Sequence, residues 1–202
     1  MSYSYKSICY LCVAVLCGAM WCCANAAHAA MIMLSTNSSD ETPAVLLNMT
    51  LDFQVSGSTL TVTATNDTMN PSQFKVNEIY FNGPPGISLV MASKPGWNLS
   101  ANLPGNGFGT FSFALLDGQG NNPHQLFPGE VEVFTFAISG GAPTDVDFIS
   151  YFSTIPPGET PAIAAAKFEG GPGDDSAFGA FIPAPGGAAV LLTSLVLGRR
   201  RR

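Results

Sequence analysis

Basic side chains are scarce in this sequence, and most of the few that occur lie at its two ends. Of the 8 Lys and Arg in 202 residues, only Lys75, Lys94 and Lys167 lie between residues 30 and 198, whereas all 14 Asp and Glu lie in that interval. The middle of the chain therefore has a formal charge of 3 − 14 = −11. Because nucleic-acid binding depends on basic residues that neutralise phosphates, we exclude nucleic acid as a partner.

Cysteine and histidine, which serve in zinc sites and in nucleophilic catalysis, are almost absent from the same interval. All 5 cysteines lie within the first 23 residues, and His124 is the single histidine after residue 29. A zinc site needs several such ligands, and no Gly-x-Ser-x-Gly nucleophile elbow occurs. His124 follows Pro123 in a loop rich in Gly and Asn, which is typical of a solvated residue; a general base or metal ligand is the alternative. We therefore expect no enzymatic activity, although two carboxylates that meet in space could still form a glycosidase site.

Apolar residues nowhere repeat with the 3.6-residue period of a helix over three turns. Short segments alternate between apolar and polar residues instead, as 47–55 does without interruption. Gly (21) and Pro (15) together make up roughly 18% of the chain, against the usual ~12%, which suits turns between strands. The segments with this pattern predict strands at 47–55, 60–65, 74–81, 87–91, 110–116, 131–138, 146–152, 163–168 and 177–181.

This pattern predicts an all-β fold: a single antiparallel β-sandwich or jelly-roll-like domain over residues 30–181, flanked by two helical targeting segments. The 14 phenylalanines, all in the body, supply most of its core. The alternation in 74–81 slips near Asn77-Glu78, which predicts a β-bulge. Three successive alanines, 164–166, favour helix over strand and make the strand at 163–168 the least typical of the set.

The first 29 residues have the three parts of a secretory signal peptide. Lys6 provides the positive start, 8–21 is apolar, and Ala27, His28 and Ala29 fit the small-x-small pattern at which signal peptidase cleaves. We expect the exported chain to begin near Ala30, with cleavage after residue 26 as an earlier option. A membrane anchor is the alternative, but the apolar stretch is short for ~30 Å of hydrocarbon. A lipoprotein signal is another, but the residues before Cys17 do not fit a lipidation site.

The C-terminus, residues 182–202, combines a proline motif, a short apolar stretch and a basic tail. The motif is Pro183, Ala184, Pro185 and Gly186, and the tail is Arg199, Arg200, Arg201 and Arg202. The uncharged stretch 186–198 is about 20 Å long as a helix, too short to cross a ~30 Å hydrocarbon core comfortably. The arginines would stay in the cytoplasm. This order predicts a temporary hold in the membrane, with a proline-marked joint accessible to a processing enzyme.

The same order resembles the PEP-CTERM sorting signal, which exosortases recognise in Gram-negative-type bacteria. Pro183-Ala184-Pro185 stands where that family has Pro-Glu-Pro, and the Pro-Ala-Pro-Gly form is similar to a variant of planctomycete-type bacteria. The resemblance implies processing by an exosortase; an ordinary short membrane anchor is the alternative. Through segments 109–113, 127–130 and 134–136, the body also resembles β-sandwich proteins that accompany such signals and, more loosely, cohesin-type modules.

Calcium and sugars are the ligands for which the body offers candidate residues. Segment 170–177 approximates one glycine-rich calcium nonapeptide, with Asp174 and Asp175 as the candidate ligands. A solvated loop is the alternative, because that motif works through stacked repeats. The aromatic residues that could stack on a glycan are Trp97, Tyr80 and Tyr151. Packing in the core or against a loop is the alternative for each.

Together these features predict an exported protein with signal peptidase and an exosortase as its processing partners. We expect transient contact with the inner membrane through the C-terminal helix, and then a structural role at the cell surface or in an exopolysaccharide-associated extracellular matrix. A surface module that binds a glycan or a partner protein, assisted by calcium, is the alternative. Beyond calcium we expect no cofactor.

Overall fold

Two antiparallel β-sheets make up most of the chain in the computed structural model, which describes residues 29–37, 43, 45–69, 73–118, 124–171 and 176–183. The strands are β1 (Ala30–Leu34), β2 (Thr36–Asn37), β3 (Met49–Ser56), β4 (Thr59–Asn66), β5 (Lys75–Phe81), β6 (Ser88–Met91), β7 (Trp97–Gly105), β8 (Gly109–Asp117), β9 (Val131–Ser139), β10 (Ala164–Glu169) and β11 (Ser176–Phe181). A 3₁₀ helix (Asp145–Ile149) lies between β9 and β10.

One sheet has five strands in the order β1-β3-β4-β9-β6, and the other has six in the order β2-β11-β10-β5-β8-β7. The chain passes from the first sheet to the second at Ser35, whose N–H donates to the carbonyl of Ala180 on β11. The sheets face each other across a shared apolar core. The predicted all-β sandwich is confirmed at this level.

The β3–β4 hairpin illustrates how alternation along the strands produces the layers. Leu60, Val62 and Ala64 of β4 are fully buried, while the threonines between them are half-exposed on the outer face. A turn of two residues joins the strands, and Gly57 adopts φ 60° there, which glycine reaches without steric cost.

Phenylalanine rings from both sheets meet in the centre of the core. The ring of Phe81 on β5 lies 5.6 Å from Phe53 and 6.1 Å from Phe136, both on the five-stranded sheet. It also lies 5.4 Å from Phe113 on the adjacent strand β8. These contacts join the two layers through apolar side chains alone.

The irregularity predicted near Asn77-Glu78 is a β-bulge. In the pairing of β10 with β5, Lys167 lies opposite Glu78 but Phe168 lies opposite Val76, so Asn77 is the extra residue. The bulge lets Val76, Ile79 and Phe81 all face the core despite the slip in the sequence pattern.

Neighbouring strands override the helix preference of the three alanines in β10. Ala164 and Ala166 pack into the core between the sheets, and Ala165 faces a second apolar cluster on the other side of the six-stranded sheet. The strand β10 lies between β5 and β11 in the six-stranded sheet, and these pairings hold the alanines in a strand despite their helix preference. Their small side chains allow the apolar clusters on the two faces of that sheet to approach it closely.

The strand predicted at 146–152 is wrong: most of this segment is the 3₁₀ helix followed by an irregular stretch. Asp147 accepts hydrogen bonds from the N–H and the hydroxyl of Thr144, at 2.7 and 2.8 Å, which favours a helical turn. Phe148 turns inward and stacks on Phe53, with ring centroids 6.1 Å apart. Strands β1, β2 and β7 were not predicted.

The predicted helical targeting segments lie almost wholly outside the described residues. Ala29 is exposed and directly precedes β1, whereas Ala27 is outside the described part of the chain. Pro183 is half-buried, and the rest of the proline motif and the arginine tail are likewise outside it. Within the described ranges, no helix has the length and apolar character needed to span a membrane.

Candidate binding cleft

A cleft opens where both sheets end, between edge strands β6 and β7. Its volume is about 670 Å³, which lies within the ~300–1,000 Å³ typical of ligand sites. Its walls come from the β5–β6 connection, β6, the middle of β7, two residues of β8 and the segment after the 3₁₀ helix. The polar and aromatic residues in its lining include Asn82, Ser88, Ser100, Asn102, Ser112, Tyr151 and Phe152.

The floor of the cleft is built on a buried amide. Asn82 is 2% exposed; its Nδ2 donates to the carbonyl of Ile163 at 3.2 Å, and its Oδ1 accepts from the N–H of Ser112 at 3.0 Å. These bonds attach the end of β5 to the neighbouring strands on both sides. They fix the start of the 83–86 turn, in which Gly86 has φ 83°.

The β7 wall is bent by a single residue. Asn102 has φ 54°, the only positive value of a non-glycine residue in the described part of the chain. Asparagine tolerates this conformation better than most residues do. The bend interrupts the β7–β8 ladder between Ala101 and Leu103, and the exposed Asn102 lines the cleft.

The opposite wall is aromatic. Tyr151 is half-buried, and Phe152 is 44% exposed although it is fully apolar. Both follow the 3₁₀ helix, which the ring of Phe148 attaches to the core. The position of this wall therefore depends on the helix that replaces the predicted strand.

None of the described residues that line this cleft carries a carboxylate, an imidazole or an amine. The available groups are hydroxyls, amides, aromatic rings and aliphatic side chains. Such a lining suits an uncharged, hydrogen-bonding ligand with apolar faces better than it suits acid–base chemistry.

A second depression, of about 480 Å³, continues along the same two edge strands and shares Leu89 and Leu99 with the first. Lys94 lies there, but its ammonium pairs with Glu132 and lies 5.8 Å from the ring centroid of Phe134. The lysine charge is thus already compensated.

Charged side chains cluster instead on β5 and β10, away from the cleft. Lys167 pairs with Glu169 and, at 3.4 Å, with Glu78. Burial opposes the charge of Lys167, but the hydrogen bond to Glu169 and the two carboxylates raise its pKa. Burial likewise opposes the charge of Glu169, but hydrogen bonds from Lys167 and Asn77 and the nearby lysines lower its pKa. The groups satisfy one another, which is typical of a structural ion-pair network.

Two of the three aromatic candidates for glycan contact lie in apolar clusters. Trp97 is 3% exposed, lies 5.1 Å from Phe134 edge-on, and donates from Nε1 to the carbonyl of His124 at 3.1 Å. Tyr80 is also 3% exposed, and its hydroxyl donates to Glu78. Burial, then that hydrogen bond and the charge of Glu78, raise the pKa of Tyr80. The structure favours the packing role for both, whereas Tyr151 lines the cleft.

His124 is not among the residues that line the cleft. His124 is half-buried and packs against Gly96 beside Trp97. Asp174 and Asp175 lie outside the described residues. Among the residues that the structure does describe, no group of three or more His, Cys, Asp or Glu could bind a metal ion.

Sequence reasoning missed Asn102, Ser112 and Phe152 as cleft residues. A Ser, an Asn or an exposed Phe in a β-protein has no pattern that distinguishes a binding position. These residues come together because β6 and β7 occupy the same side of the sandwich.

Comparison with protein-family models, with curated proteins and with solved structures gave no significant match.

Proposed function

We propose that this chain is exported, loses its C-terminal segment to an exosortase, and serves as a non-enzymatic structural protein at the cell surface or in the extracellular matrix. One observation carries the proposal: in the part of the chain that the structure describes, the first strand begins at Ala30 and the last ends at Phe181, directly inside the two predicted processing signals. Removal of both signals would therefore leave all of the described strands intact. The PEP-CTERM assignment, the jelly-roll-like topology and the helical targeting segments are parts of the same proposal.

The charge distribution supports a role outside the cell. Without the signal peptide and the arginine tail, the chain keeps three lysines and all 14 acidic residues. A strong negative charge favours solubility and mutual repulsion between copies. The matrix partner is then a neutral polymer or a protein, since an acidic polymer would be repelled by this charge.

The proposal predicts a defined change in mass at the C-terminus. We expect the extracellular form to lack the four terminal arginines, as measured by intact mass spectrometry of the exported protein. As a matched control, a variant with Arg199–Arg202 replaced by serines keeps the proline motif but loses the stop signal, and we expect its processing to fail. An extracellular wild-type chain that keeps residues 199–202 would contradict exosortase processing.

The cleft favours a second candidate function, the binding of an uncharged saccharide. A neutral glycan offers hydroxyls to Asn102, Ser100 and Ser112, and its apolar ring faces suit the exposed ring of Phe152. An acidic polysaccharide would meet the net negative charge of the body, and a cationic ligand would find no carboxylate among the described lining residues. The chemistry of the walls thus favours a neutral sugar chain over a charged one.

An extended peptide that adds a strand to the edge of β7 fits less well. Asn102 bends this edge, and Pro104 two residues later has no N–H to donate. Bulges and prolines are the devices by which edge strands avoid strand addition. The groove is therefore better suited to contacts through side chains than to β-augmentation.

Phe152→Ala tests saccharide binding. We expect about tenfold weaker binding of a neutral probe such as cellohexaose, laminarihexaose or mannohexaose, measured by calorimetry, because the ring is an exposed apolar surface in the cleft. The matched control is Phe127→Ala, since Phe127 is also 44% exposed but lies outside the cleft. This function would be contradicted if Phe152→Ala and Phe127→Ala lost affinity equally. It would also be contradicted if the wild type bound the acidic hexagalacturonate as strongly as a neutral probe, or bound no neutral probe at all.

A further inference from the structure

A buried carboxylate lies at the start of β1. Asp145, the first residue of the 3₁₀ helix, is 8% exposed, and its Oδ1 accepts a hydrogen bond from the backbone N–H of Val55 on β3. A buried carboxylate is costly unless a positive charge or several donors compensate it. The single hydrogen bond from Val55 leaves most of the cost of burying the Asp145 carboxylate to be offset by another group.

The strand register shows where the carboxylate lies. The β3–β4 hairpin closes at Ser56 and Thr59, so Val55, one residue before the closing pair, directs its N–H away from β4 and toward the β1 side. Ala30, the first residue of β1, lies opposite Phe53, two residues before Val55. Asp145 therefore occupies the position that the next hydrogen-bonded residue of β1 would take, directly beyond the backbone nitrogen of Ala30.

No lysine in the described part of the chain is available to this carboxylate. Lys94 pairs with Glu132, Lys167 pairs with Glu78 and Glu169, and Lys75 lies 5.2 Å from the ring centroid of Phe127. The remaining Lys and Arg residues are Lys6 and the four terminal arginines. The body of the chain thus provides no side-chain cation at the start of β1.

A second carboxylate lies close by. Asp52 lies opposite Met31 on β1, and its Oδ1 is buried without a hydrogen-bond partner. Burial and the charge of Asp145 raise the pKa of Asp52. The carboxylates of Asp52 and Asp145 thus both lie beside the start of β1, where one positive charge would stabilise their ionised forms.

We propose that cleavage after Ala29 supplies this charge: the new α-ammonium group of Ala30 pairs with the carboxylate of Asp145, and the mature chain gains an ion pair that its precursor lacks. Hydrolysis of the Ala29–Ala30 bond consumes one water and leaves a carboxylate on Ala29 and, at neutral pH, an ammonium on Ala30. Before cleavage the same nitrogen is an uncharged amide. The ion pair between Ala30 and Asp145 would then form only after export.

The inference rests on the export part of the proposed function, and is independent of C-terminal processing and of ligand binding. It also depends on where signal peptidase cuts. Cleavage at the earlier option, after residue 26, would put the charge three residues upstream of the position that faces Asp145.

The ion pair between the α-ammonium group of Ala30 and the carboxylate of Asp145 makes the stability of the mature chain depend on pH above neutrality. An α-amino group ordinarily has a pKa of about 7.7–8.0, and a carboxylate partner raises it in the folded state. The stabilisation is then fully present below the unfolded pKa and is lost as pH rises through the folded pKa. The other titratable groups on elements packed against β1 are Asp52 on β3 and Asp147 on the 3₁₀ helix; β11 has none. Lys167 and Glu169 of β10 pair with each other on the opposite face of their sheet.

The test uses the protein purified after export, with its N-terminus determined by intact mass spectrometry. Thermal unfolding is followed from about pH 7 to about pH 9.5, below the range in which lysines titrate. We expect the melting temperature to fall by about 2–4 °C over this range. We expect most of this fall to disappear in Asp145→Asn, which keeps an oxygen for the N–H of Val55, and after selective acetylation of the α-amino group.

Asp67→Asn is the matched control, because Asp67 accepts a hydrogen bond from Thr50 at 2.6 Å and is exposed. It should keep the wild-type pH dependence. The same fall in Asp145→Asn as in the wild type, or no fall in the wild type, would overturn the ion pair. An exported chain that begins elsewhere than Ala30 would overturn it while leaving export intact, whereas a chain retained uncleaved in the cell would overturn the proposed function itself.

Discussion

Replacing Phe81 by alanine is expected to lower the free energy of unfolding by about 3–5 kcal/mol. The ring is fully buried and contacts Phe53 and Phe136 on the facing sheet as well as Phe113 beside it. Its removal opens a cavity at the place where the two layers meet, and strands fixed on both sides by ladders cannot collapse into it. Urea unfolding should show the loss as a lower midpoint.

The matched control for Phe81→Ala is the same truncation at Phe127. That ring is 44% exposed, so its removal should change the free energy of unfolding by less than about 1 kcal/mol. Similar midpoints for the two variants would show that Phe81 is not the junction between the layers. An unchanged denaturant slope would show that the variant still unfolds from the same compact state.

Asn66→Asp is expected to destabilise the fold by about 3–5 kcal/mol at neutral pH, although the two side chains have nearly the same shape. The Nδ2 of Asn66 donates to the carbonyls of Phe74 and Leu126, at 3.1 and 2.9 Å, and its Oδ1 accepts from the N–H of Thr68 at 3.1 Å. A carboxylate there would lose both donors and would place a buried charge against two carbonyl oxygens. The end of β4 would then lose its attachment to two other segments.

The effect should depend on pH in a defined direction. Burial raises the folded-state pKa of the introduced carboxyl above its unfolded value of about 3.9, so the stability deficit is smallest below that value. The deficit grows as pH rises through the folded pKa. Chemical denaturation should therefore give a smaller deficit at about pH 4 than at about pH 7. Asn98→Asp, at an exposed position of β7, is the control; an equal deficit there would mean that added charge alone explains the result.

Most strands could be predicted because their two faces meet different surroundings. In β4 and β9 one face packs into the core and the other meets solvent, so apolar and polar residues alternate along the sequence. β7 escapes this rule because it is an edge strand and several of its residues are exposed on both faces. Its Ser, Asn and Pro residues therefore resemble a loop.

The segment 146–152 was misread for a related reason. Its aromatic and β-branched residues are typical of a strand, but local hydrogen bonds between Thr144 and Asp147 favour a helical turn there. The ring of Phe148 then fixes that turn to the core. A cap of two polar residues decided the structure against the preference of the residues that follow.

The candidate cleft was harder to predict from the sequence than the strands were. Tyr151 was among the predicted aromatics, but Trp97 and Tyr80 lie in apolar clusters, and the neutral wall formed by Asn102 and Phe152 has no sequence pattern. Burial of an aromatic residue depends on which segments cover it. That information is spread over residues far apart in the chain.

The sequence by itself determined that this is an acidic, glycine- and proline-rich β-protein, because alternation and composition are local properties that each strand requires wherever it lies. Only the tertiary structure decided that β6 and β7 share an open side of the sandwich and that Asp145 faces the start of β1. Both depend on the order in which strands pair across long separations. Strand order is set by how the whole core packs, and no short segment encodes it.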